Sequence, residues 1–152
     1  MSATKWLEEI ELTTWEAFDG YWVPRGWAKE GPIKTQSRID RPNQRQTVDA
    51  GTYAIAGVAW APTKGIARVE VRVDTVDGEP IEGEWRDAEL TTPLSDDSWV
   101  QWRLDVDLPQ GEYVATVRAT DGTGETQGET PVPNSPNGAE GWHNVRFQVS
   151  SA

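Results

Sequence analysis

The clearest periodicity lies between Ile66 and Asp74, where Val69, Val71 and Val73 alternate with Arg68, Glu70, Arg72 and Asp74. Successive side chains of a strand point to opposite faces, so this alternation predicts one face in a core and one in water. The same period returns over Trp99–Val106, with Val100, Trp102, Leu104 and Val106 inward and Gln101, Arg103 and Asp105 outward. Tyr113, Ala115, Val117 and Ala119 share a face over Tyr113–Thr120, as do Val145, Phe147 and Val149 over His143–Val149. Tyr53–Ala61 is small and apolar on both faces, which predicts a central strand. Trp85–Leu90 reads as a short edge strand because of Asp87. Turn signals fall between these runs at Pro62–Gly65, Asp77-Gly78 and Pro109-Gln110-Gly111, while Asp121–Gly141 reads as a long loop. No stretch carries a convincing helical period. About seven short antiparallel strands predict an all-β protein, an Ig-like sandwich.

The front of the chain reads differently. Lys5–Leu12 is assigned as a strand in preference to a short helix. Trp15–Pro42 is rich in Trp, Gly and Pro without a period, which predicts an extended arm laid across other protein. In water its Trp15, Phe18, Tyr21, Trp22 and Trp27 are costly. Arg41–Asp49 reads as a linker or lead-in. The expected division is therefore an N-terminal arm over 1–47 and the sandwich over 48–152.

Composition narrows the partners. The formal charge is 14 − 25 = −11, a field that disfavours nucleic acid and anionic membrane surfaces. No apolar run approaches the roughly 18 residues that span a bilayer. Lys5, Glu8, Glu9 and Glu11 interrupt the place of a signal-peptide core. Met1-Ser2-Ala3 reads as a start placed before an excised segment. Cysteine is absent, which removes disulfides, thiolate metal sites and cysteine nucleophiles. It assigns no compartment.

Few residues suggest chemistry. His143 is the sole histidine, and one imidazole makes no metal site without neighbours, so a structural role is expected. Asp96-Asp97 and Asp121–Glu125 lack the ligand spacing of a calcium loop and read as solvated turns. Ser37 and Ser98 have no partner suggesting a triad. Trp60 and Trp102 are assigned to the core. Trp22 and Trp27 flank Arg25 and are read as an aromatic/Arg interface anchor in competition with local packing. Arg38 either pairs with an acid across that boundary or is a plain surface charge.

Taken in order, Gly57-Val58-Ala59-Trp60 with Ile66–Asp74, Trp85-Arg86-Asp87-Ala88-Glu89-Leu90, Trp99–Arg103, Gly111–Gln127 and Gly141-Trp142-His143-Asn144-Val145 resemble the C-terminal dimerisation domain of the sulfite oxidase family of molybdopterin-dependent oxidoreductases. Lys5-Trp6-Leu7 is similar to the closing strand of that family's molybdenum-binding domain. Gly20–Trp22 through Ser37–Asp40 resembles its connector. The resemblance implies a non-catalytic domain that pairs with a second copy of itself and packs against a catalytic domain. It places the molybdenum cofactor in that other domain, on a cysteine thiolate, and none in this chain. Two departures stand out. Asn134–Glu140 holds no Arg or Lys where the family has a basic residue before the last strand, which puts sulfite as the parent's substrate in question. An insertion over Thr75–Gly83 lengthens a hairpin. The alternative is a carbohydrate-binding module, since Trp-rich β-sandwiches stack sugars on exposed indoles.

Overall fold

A computed structural model describes residues 5–79 and 85–151. Among the described residues nine strands form: β1 (Gln36–Arg41), β2 (Thr47–Asp49), β3 (Gly51–Trp60), β4 (Ile66–Thr75), β5 (Arg86–Asp87), β6 (Glu89–Leu90), β7 (Val100–Leu108), β8 (Gly111–Asp121) and β9 (His143–Ser150). They make a four-stranded sheet in the order β1-β3-β7-β6 and a five-stranded sheet in the order β2-β9-β8-β4-β5. Two layers of strands enclosing one core are a β-sandwich, as the alternation predicts.

The inward sets of β7, β8 and β9 lie where the pattern put them. Trp102, Leu104, Val106, Tyr113, Ala115, Val117, Val145, Phe147 and Val149 all belong to one buried cluster with Ile55 and Ala59. Antiparallel registers hold them opposed: Gly57 faces Trp102 across β3 and β7, and Val71 faces Val117 across β4 and β8. Tyr113 donates its hydroxyl hydrogen to the Pro109 carbonyl at 2.8 Å, so this phenol is buried with its polar end satisfied. Burial pushes its pKa up.

Close backbone approach explains one glycine in the centre of the sheet. A Cβ on Gly57 would lie 1.9 Å from the Arg38 carbonyl oxygen and 2.8 Å from the Trp102 ring. Nothing larger fits between β1 and the indole that fills the core beneath it.

Several expectations need correction. Lys5–Leu12 joins no ladder; it is extended, with Trp6 92 % exposed. The sandwich begins at Gln36, inside the range expected for the arm, because Ser37 and Ile39 turn into the core while Arg38 and Asp40 face out. Arg41–Asp49 is more than a linker: β2 pairs with β9 in parallel, so the sandwich is not wholly antiparallel. Trp85–Leu90 is divided between the layers, β5 pairing with β4 and β6 with β7, so one short segment supplies an edge to each sheet. The Asp77-Gly78 turn is present, with the Gly78 amide 2.9 Å from the Thr75 carbonyl. The rest of the Thr75–Gly83 insertion, like Met1-Ser2-Ala3, lies largely outside the described residues.

Candidate functional site

Three of the four residues singled out from sequence come together. A 3-10 turn over Val23–Arg25 carries Pro24 in its first positions and ends on Gly26 in the left-handed region (φ 91°). That turn folds the arm back on itself. Trp22 and Trp27 meet edge to face at 6.5 Å between ring centroids, and Tyr21 packs on Trp22 at 5.0 Å. Arg25 lies over the Tyr21 ring at 3.6 Å and donates to the Tyr21 carbonyl at 2.6 Å. The cluster is held to the sandwich by the Ala28 amide, which donates to the Pro136 carbonyl at 3.0 Å. Tyr21 and Trp22 nevertheless remain exposed. Lys29 adds a further tie to Asp19 at 2.7 Å.

Arg38 lies elsewhere. It sits on the outer face of the four-stranded sheet, paired with Asp40 of its own strand at 2.7 Å and 5.7 Å from the Trp99 ring. Trp99 stacks on Trp60 at 4.9 Å and 16°. Trp60 is therefore on the outer face, not in the core as expected; its indole N–H donates to the Asp97 carbonyl at 2.8 Å. Trp102 is the core indole, 2 % exposed. The parity of β3 carries this distinction, since Trp60 falls in step with Ala54, Ala56 and Val58 rather than with buried Ile55 and Ala59.

Two further assignments change. Glu70 does not face water but is 4 % exposed. Arg118 reaches it with two bonds of 2.9 and 3.1 Å, the forked geometry that suits a carboxylate. The Trp85 ring covers Arg118 at 4.1 Å, with Trp142 behind it at 5.7 Å. Asp121 is fully buried rather than part of a solvated turn. It accepts from Thr35 at 2.8 Å, Lys64 at 2.9 Å, the Thr123 hydroxyl at 2.6 Å and the Glu125 amide at 3.2 Å. Burial opposes its charge, but the hydrogen bonds from Thr123, Lys64, Thr35 and Glu125 outweigh burial and hold its carboxyl well below the usual carboxylate range. Asp121 thus ties the start of the long loop to the end of the arm.

His143 has a structural task. Its Nδ1 accepts from the Ile39 amide at 3.0 Å, a group on the side of β1 turned away from β3. Desolvation pushes its pKa down, with Asp40 opposing and Arg38 reinforcing that shift. Ser37 donates to Gln127 at 2.8 Å. The serines are backbone and side-chain braces: Ser98 bonds the Ser95 carbonyl at 2.6 Å. Among the described residues no group of three or more His, Cys, Asp or Glu side chains is placed to hold a metal ion. With no cysteine in the sequence, the donor set here does not fit a thiolate-held molybdenum cofactor.

The Mo-co oxidoreductase dimerisation domain matches residues 29–150, and the chain belongs to that family. It is the dimerisation domain of these enzymes, not their catalytic domain. The chain is 27 % identical to mitochondrial sulfite oxidase of Rattus norvegicus over 95 % of its length. With the Homo sapiens mitochondrial sulfite oxidase the identity is 30 % over 96 % of the chain. It spans only 30 % of either relative's length. The fold is similar to that in the crystal structure of the sulfane dehydrogenase SoxCD from Paracoccus pantotrophus, with a TM-score of 0.58 and 23 % identity over 78 % of this chain and 33 % of that one. None of these relatives supports the carbohydrate-binding alternative. No helix among the described residues is long and apolar enough to cross a membrane.

Proposed function

We infer that this chain is the C-terminal pairing domain of a sulfite-oxidase-like molybdenum oxidoreductase, joining two copies of the enzyme and bracing each catalytic domain. The observation that carries the second half is the arm. Trp6, Ile10, Leu12, Trp15 and Phe18 are all exposed on a segment that pairs with no strand. A contiguous run of exposed large apolar side chains marks an interaction surface. The Trp22–Arg25–Trp27 cluster is the anchor of that contact, and Arg38 belongs to the surface between copies. The cofactor belongs to the catalytic domain, where a cysteine thiolate holds it.

The net charge of −11 disfavours nucleic acid and anionic membranes as partners of this segment. Sulfite is not the favoured substrate of the parent, since Asn134–Glu140 offers no Lys or Arg to an anion. Sedimentation equilibrium of the chain tests the reading: a dimer at micromolar concentration is expected, and the chain alone turns over no sulfite. A monomer at several hundred micromolar would contradict self-association.

A further inference from the structure

We propose that His143 is a pH-sensitive latch between the two sheets: its neutral ring holds the end of β1 against β9, and a proton on that ring opens the seam at Ile39. The latch goes beyond the pairing function and does not depend on it.

Strand β9 begins at His143, opposite Val117 of β8. That register gives the ring the inward parity of Val145, Phe147 and Val149, so it points across the sandwich toward β1. At the end of the strand the core no longer covers it, and His143 stays exposed. Solvent protons therefore reach a ring that joins one layer to the other. The join is the Ile39 amide donating to Nδ1 at 3.0 Å. A backbone amide can only donate, so this bond needs Nδ1 with its lone pair free. Both nitrogens of an imidazolium are donors, and N–H would then face N–H. The bond cannot survive that proton. Ile39 is 5 % exposed, so its amide is left without an acceptor unless the strand moves toward water.

The surrounding charges bias the ring both ways. Desolvation favours its neutral form, Asp40 opposes this, and Arg38 reinforces it. Both charged groups belong to β1. From β8 the neighbour is the apolar Val117, while Arg118 lies on the opposite face with its charge answered by Glu70. Gln127 of the long loop is neutral and bound to Ser37. Trp142 and Asn144, on either side in the chain, do not titrate. A proton on His143 therefore gives Asp40 a second cation beside Arg38, with which it is paired at 2.7 Å.

The other ties at this end of the arm do not answer to the same pH. The Ser37–Gln127 bond is uncharged. Asp121, which accepts from Thr35 just before β1, is held well below the usual carboxylate range and stays ionised. Opening is thus confined to the far end of β1. There the ladder to β3 already shifts register between Ile39 and Arg41, so that end has least to hold it once the histidine bond is lost.

Amide exchange of the full chain, read at Ile39 as protection relative to an open peptide, tests the latch. Protection should fall at least about tenfold between about pH 7.5 and about pH 5. Val71 and Val117, opposed in the β4–β8 ladder, should keep theirs. His143→Asn sets a side-chain oxygen close to the place of Nδ1 and has no proton to gain, so protection at Ile39 should stay level. Asp40→Asn removes the group that favours the charged ring and should move the fall to lower pH. Protection that stays level in the wild type, or falls equally in His143→Asn, overturns the latch. Should His143→Asn fail to fold, Asp40→Asn decides alone, and a fall at an unmoved pH overturns it.

Discussion

The sandwich and the arm are made of similar residues put to opposite uses. Trp102 lies sealed between the sheets at 2 % exposure, while Trp6 is 92 % exposed. What separates them is the backbone. Every inward side chain of β7, β8 and β9 is carried by a strand bonded on both sides or on one, so its position is fixed before it packs. Residues 5–20 have no ladder, and their side chains are held only by local ties such as Asp19 to Lys29, with none in the core. An apolar residue becomes core only where the main chain's hydrogen bonds are already settled.

Breaking the sandwich should cost far more than trimming the arm. Asp121→Ala removes a fully buried acceptor and strands donors from Thr35, Lys64, Thr123 and Glu125; a loss of about 3–5 kcal/mol is expected in urea unfolding. Trp102→Ala, which empties the largest buried side chain, falls in the same range of about 3–5 kcal/mol. Gly57→Ala follows, at about 1–3 kcal/mol, because its methyl would collide with the Arg38 carbonyl and the Trp102 ring.

A smaller effect sharpens the comparison through pH. The folded His143 imidazole has its pKa pushed below the ordinary value, so the unfolded chain binds more protons. Its contribution is therefore complete above about 6.5, and stability falls as pH drops below that value toward the folded pKa. Replacing it as His143→Gln should flatten the slope of the urea midpoint between about pH 5 and 7. Least of all, Trp22→Ala should leave stability within about 0.5 kcal/mol of wild type, since the ring is exposed. Its effect belongs instead to the affinity for the catalytic domain, read by titrating the separated domains.

Legibility followed charge. In β7 the outward residues Gln101, Arg103 and Asp105 announce which face is wet, so the inward set could be read directly. In β3 both faces are small and apolar, and the parity of Trp60 gave no sign of which side held the core. Glu70 misled for a different reason: its charge reads as solvated, but it is neutralised by Arg118, forty-eight positions along the chain, and such pairing is invisible without the register. Trp22, Arg25 and Trp27 were readable as a group because a single turn brings near neighbours together. Arg38 could not be placed with or apart from them, because only the ladder to β3 fixes it.

Amide hydrogen exchange on the intact chain tests most directly whether the sandwich stands alone while the arm waits for another surface. Amides of Ile55–Ala59, Leu104–Val106 and Ala115–Ala119 should exchange only on global unfolding, and those of residues 5–20 at close to the rate of an open peptide. Equal protection in the two regions would contradict that claim, since it would show the arm already holding its place without a partner.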